Sequence, residues 1–137
     1  ILQGRKWNGP SFWPIWADKV RPLEEGIIAE IVANLLENAF IYSDQYASIG
    51  LKLNDDGLCV WDEGKLISDE DRQNIFKKGF RGSNSNKKPG SGIGLYLGRK
   101  LAEQMGASLE LIKSSSDFDK KLPKEGNAFV VYLSENK

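Results

Sequence analysis

Leu23-Glu24-Glu25-Gly26-Ile27-Ile28-Ala29-Glu30-Ile31-Val32-Ala33-Asn34-Leu35-Leu36-Glu37-Asn38-Ala39-Phe40-Ile41-Tyr42-Ser43 repeats its apolar residues at helical spacing: Ile27, Ile28, Ile31, Val32, Leu35, Leu36 and Ala39. That period predicts a long helix over about 23–43 with one apolar side to bury. Beyond it, Tyr46-Ala47-Ser48-Ile49-Gly50-Leu51-Lys52-Leu53 and Leu58-Cys59-Val60-Trp61-Asp62 flank the turn sequence Asn54-Asp55-Asp56-Gly57, which predicts an antiparallel hairpin. Ser68 ahead of Asp69, Glu70 and Asp71 reads as an N-cap with an acidic first turn, opening a short helix that runs to about Lys78. Residues 82–91 are polar and glycine-containing, a loop, and a helix follows it through Met105. Residues 107–112 and 127–133 read as strands, and 114–126 between them as a charged, solvated turn. Helix, hairpin, helix, loop, helix and two strands together predict an α+β two-layer sandwich, helices lying on one face of a mixed, largely antiparallel sheet. Residues 1–22 carry Trp7, Phe12, Trp13 and Trp16 among Gly and Pro, an aromatic N-terminal arm expected to pack on the domain, with a docking surface for a neighbouring domain as the alternative.

A chain of 137 residues suits one domain with one core. Nineteen basic and nineteen acidic residues cancel, so nothing in the overall charge points to nucleic acid, and any polyanion bound should be small and held locally. The single cysteine, Cys59, excludes an intramolecular disulfide and suits a reducing, cytoplasmic compartment, although a parent protein could be anchored in a membrane elsewhere. There is no histidine. The commonest general base and metal ligand is therefore missing, and a divalent ion would have to be hard and oxygen-bound.

Three places carry chemistry. Asn38 falls within the apolar stripe of the first helix with Asn34 one turn earlier, near Glu37. A buried amide without partners costs about 1–3 kcal/mol, so each is either satisfied structurally or part of an oxygen-lined rim. In Val60-Trp61-Asp62-Glu63-Gly64 a carboxylate ends a strand and a glycine stands two residues on, either a plain strand-to-loop turn or a place where a flat ligand can approach. Gly90-Ser91-Gly92-Ile93-Gly94-Leu95 leads into a helix, either a turn or a nest of backbone N–H groups for phosphate.

Taken in order, Asn34-Leu35-Leu36-Glu37-Asn38-Ala39, Asp62-Glu63-Gly64, Ile75-Phe76-Lys77-Lys78-Gly79-Phe80-Arg81-Gly82 and Gly90-Ser91-Gly92-Ile93-Gly94-Leu95 resemble the N box, first glycine box, F box and second glycine box of the ATP-binding domain of sensor histidine kinases. The wider GHKL superfamily, with its Bergerat-type fold, includes gyrase B, MutL and the ninety-kilodalton heat-shock chaperones. The resemblance covers roughly residues 18–134 and implies a single ATP-binding catalytic domain, with residues 79–91 as the ATP lid. It implies that Asp62 accepts a hydrogen bond from the adenine amino group beside Gly64, with Tyr42 next to the nucleotide. Asn38 would give its amide oxygen to Mg²⁺ with Asn34 at the same site, Phe80 would anchor the lid, and Gly90, Ser91, Gly92, Ile93, Gly94 and Leu95 would wrap the phosphates of ATP. Asn34 is the candidate catalytic position: ATP-hydrolysing members place a glutamate there to activate water, which an amide cannot do. The implied partners are a phosphoacceptor-histidine hairpin domain, on the same or the dimer-mate chain, and a response regulator; the isolated domain is expected to be monomeric.

Two departures stand out. Leu66 replaces the second glycine of the first glycine box, and Ile41 stands where a lysine commonly precedes the tyrosine. Both predict ATP affinity below the family norm. Two other functions fit the same motifs, an anti-sigma-type serine kinase and a degenerate nucleotide-sensing or partner-binding module.

Overall fold

The computed structural model describes residues 22–43, 47–80 and 94–133, leaving aside the side chains of 22, 23, 41 and 42. The aromatic arm before Pro22, Tyr46 at the start of the expected first strand and most of the lid fall outside the described residues.

Helix α1, Pro22–Tyr42, forms where the apolar repeat places it, with Glu24 and Glu25 in its first turn complementing the helix dipole. Ile28, Ile31, Val32, Leu35 and Ala39 are buried. Strands β1, Ile49–Asn54, and β2, Gly57–Asp62, make the expected hairpin, in which Leu51 faces Val60 and Lys52 faces Cys59. Its turn is held by the Asn54 side chain, whose Oδ1 accepts from Asp56 N at 2.8 Å and Gly57 N at 3.2 Å.

The next helix is shorter than its sequence suggests. Ser68 caps it, accepting from Asp71 N at 3.1 Å, yet α2 covers only Asp69–Arg72 rather than reaching Lys78. The cause is Asn74, whose side chain donates to Glu70 O at 3.1 Å, the carbonyl that the Asn74 backbone N–H would otherwise use. That N–H turns instead to Asp71 O at 2.9 Å, and tight turns then carry the chain through Gly79, at φ 77°, to Phe80.

Helix α3, Gly94–Gln104, buries Leu95 in the core together with Gly98 and Ala102, two small residues that let it lie close to α1 and to β3, Ser108–Ile112. It ends in Gly106 at φ 77°, with Ala107 N returning to Ala102 O at 2.9 Å, a left-handed C-terminal cap. Strand β4, Asn127–Tyr132, lies between β2 and β3, giving the order β1-β2-β4-β3. Every pairing is antiparallel among the described residues, in keeping with the largely antiparallel sheet expected. None of the described helices is long and apolar enough to cross a membrane.

Alternation along the strands divides the core. Leu58, Val60, Leu109, Phe129 and Val131 face the helices and pack with α1 and α3. Cys59, Ala128 and Val130 face the other way and form a second apolar cluster with Trp61, Ile112, Phe118, Leu122 and Tyr132. Phe118 and Leu122 correct the reading of 114–126 as a solvated turn. This segment contains a 3₁₀ turn, Ser115–Asp117, tied by Ser114 Oγ to Lys124 O at 2.8 Å and by the Ser115 hydroxyl to Pro123 O. It leaves β3 at one edge of the sheet and reaches β1 at the other, where Asn54 Nδ2 donates to Phe118 O at 3.4 Å and Lys52 pairs with Asp119 at 3.7 Å. The segment is a strap across the back of the sheet.

Candidate functional site

The alternation that sends Leu58 and Val60 toward the helices sends Asp62 the same way. Its carboxylate is therefore buried at the end of β2, 8% exposed, on the helical side of the sheet. Asp62 Oδ1 accepts from Gly64 N at 2.8 Å and from Asn127 Nδ2 at 3.2 Å. Asn127 is its register partner on β4 and does more: Nδ2 also donates to Lys65 O at 2.7 Å, while Oδ1 accepts from Ile67 N at 2.9 Å. One buried amide thus shapes the loop after β2. Burial raises the Asp62 pKa, opposed by the two hydrogen bonds it accepts.

Gly64 has no room for a side chain, since a Cβ would stand 3.0 Å from Asp62 Oδ1 and 3.3 Å from the Cα of Ser43. The C-terminal end of α1, where Ser43 N returns to Ala39 O at 3.0 Å, therefore abuts the Asp62 loop. Asn38 and Asn34, both half-buried, lie on the same helix about 7.5 and 13.5 Å from Ser43 along its axis. The structure brings Asp62, Gly64 and the end of α1 together. Leu66 is exposed in the same loop, and Phe80 is half-buried at the near end of the lid. Gly94 opens α3 with free space where a Cβ would be, whereas the Leu95 side chain belongs to the core, which leaves only its backbone to face a ligand. The Tyr42 side chain and Gly90, Ser91, Gly92 and Ile93 lie outside the described residues.

Residues 24–137 match the family described as histidine kinase-, DNA gyrase B- and HSP90-like ATPase. The chain belongs to this ATPase family. Membership carries ATP binding with it. The chain is 37% identical over 107 residues to the sensor histidine kinase Hik2 of Thermosynechococcus vestitus, covering 74% of this chain and 26% of that protein. It is 34% identical over 115 residues to the sensor histidine kinase YcbM of Bacillus subtilis, covering 80% and 34%. The chain thus spans about a quarter to a third of the length of these curated relatives. Among solved structures, the mycobacterial sensor histidine kinase MprB aligns at 26% identity and TM-score 0.63 over 80% of this chain and 72% of that one. The catalytic domain of histidine kinase ThkA, at 22% identity and TM-score 0.61, shares the fold.

Within the ATPase fold, Asn127 is the site residue that sequence reasoning missed. Its signal was present: it opens the last strand in phase with Phe129 and Val131, so a polar side chain points into the buried layer.

Proposed function

We propose that the chain is the catalytic domain of a two-component sensor histidine kinase, binding ATP with Mg²⁺ and presenting the γ-phosphate to a histidine on a separate domain. The observation that carries this reading is the buried Asp62 carboxylate, held beside Gly64 by Asn127 and abutted by the end of α1. Asp62 accepts the adenine amino hydrogen, and Gly64, whose missing side chain lets the end of α1 come close, steadies that carboxylate through its backbone N–H. Asn38 supplies an amide oxygen, the donor type a hard cation takes, and phosphate oxygens provide further ligands. Among the described residues no group of three or more carboxylate or thiol side chains could hold an ion without them. Mg²⁺, when bound, neutralises phosphate charge. Gly94 at the N-terminus of α3, with the glycine-rich sequence that precedes it, would give backbone N–H groups to the phosphates. Asn34, unable to take a proton from water, keeps the phosphate for transfer rather than hydrolysis, and positioning does the remaining work.

Calorimetric titration with a non-hydrolysable ATP analogue and Mg²⁺ tests the binding. Asp62→Asn should weaken it by about 10- to 100-fold, the worth of one hydrogen bond to a charged group, and Leu66→Gly should tighten it. Mixed with a histidine-bearing helical hairpin and ATP, the domain should yield an acid-labile phosphoprotein. An acid-stable phosphoserine product, or no binding of the analogue, would overturn the reading.

A further inference from the structure

Between the turns after α2 and helix α3 lies a groove of about 440 Å³, open to solvent, that the nucleotide reading does not use. It is lined by Arg72, Phe76 and Lys77 from the segment after the Ser68 cap, by Arg99 from α3, and by Glu110 and Leu111 from β3. Phe76 stands edge-on to Phe129, ring centroids 6.0 Å apart, and is fixed by that contact. The Arg99 guanidinium lies over the Phe76 ring at 4.1 Å, which orients its planar fork. Arg72 donates one N–H to Leu111 O at 3.1 Å, so its head group is anchored with further donors in hand.

Three cations meet one carboxylate here, a local excess of positive charge in a chain whose basic and acidic residues balance overall. That carboxylate, Glu110, is 3.7 Å from Arg99, a loose pair between side chains 47% and 38% exposed, and such a pair contributes little. Its position shows which chemistry the groove accepts: a carboxylate facing a guanidinium oriented by the Phe76 ring. An incoming carboxylate able to make two parallel hydrogen bonds would replace Glu110 readily. Small-molecule sites enclose most of their ligand, whereas this groove is open to solvent, which suits a segment held only partly within it.

We propose that this groove docks an acidic segment of a partner protein, its carboxylates on Arg72 and Arg99 and a neighbouring apolar side chain on Phe76. The site is separate from the nucleotide pocket and stands whether or not the kinase reading holds.

The test is an NMR titration of the ¹⁵N-labelled 137-residue chain with the capped peptide Glu-Leu-Asp-Glu-Phe-Asp. Amide shifts should concentrate at Arg72, Phe76, Lys77, Arg99 and Glu110, and the peptide with Gln and Asn in place of its acids should not produce them. Arg99→Gln should weaken binding about tenfold by removing one charge-assisted contact. Glu110→Gln, an exposed change that spares the fold, should tighten it about threefold by removing the internal competitor. Shifts scattered over surface lysines, or a Glu110→Gln variant that binds no better, would overturn the proposal. So would inorganic phosphate displacing the peptide with equal affinity, which would make the groove a small-anion site.

Discussion

Asp62 carries the sharpest conflict in the molecule, a carboxylate moved out of water by burial and held by two N–H donors. Because its folded-state pKa lies above the ordinary 3.8, the charged form costs stability at neutral pH. That cost fades as pH falls through the raised value toward 3.8. Asp62→Asn retains an acceptor for Gly64 N–H and removes the charge. Its ligand-free thermal midpoint should therefore exceed the parent's at neutral pH, and the gain should shrink at about pH 4, as followed by circular dichroism. Asn127→Ala should act oppositely. It leaves Lys65 O and Ile67 N without their partner and should cost about 2–4 kcal/mol in urea denaturation. Asp62 was legible in the sequence because a strand end is a local feature. Asn127 was legible only as a polar side chain in phase with the buried layer; its partner, 65 residues away, is supplied by the register alone.

At the scale of elements, whatever local patterning decides was legible. The period of α1, the Asn54 turn and the Ser68 cap all depend on neighbours within a few positions. The length of α2 was not, because one side-chain amide competing for Glu70 O outweighs the favourable pattern beyond Arg72. Asn74→Ala should release that carbonyl and lengthen the helix by about a turn, giving the backbone amide at position 74 stronger hydrogen-exchange protection while hardly moving global stability. The strap was misread for another reason. Charged residues dominate 114–126, and the apolar pair Phe118 and Leu122, four residues apart, was outvoted although it is what covers the sheet.

At the scale of the whole molecule, the described residues form a sheet with two unequal cores, one under the helices and one under the strap. Cys59 lies in the second, fully buried, its thiol pKa pushed up to about 12 by loss of water. It should react with thiol reagents only when the domain opens, so its labelling rate under native conditions measures that opening. Its raised pKa also means that stability falls as pH climbs above 9.0, when the unfolded thiol ionises and the folded one does not. Phe118→Ala should speed Cys59 labelling about tenfold by weakening the apolar cover. The strap's contact with β1 joins residues 64 apart and requires all four strands to be in place first. The same variant should fold as fast as its parent in stopped-flow measurements while unfolding faster, the outcome expected of a contact made after the rate-limiting barrier. The strap therefore governs the lifetime of a folded molecule rather than the speed at which one is made.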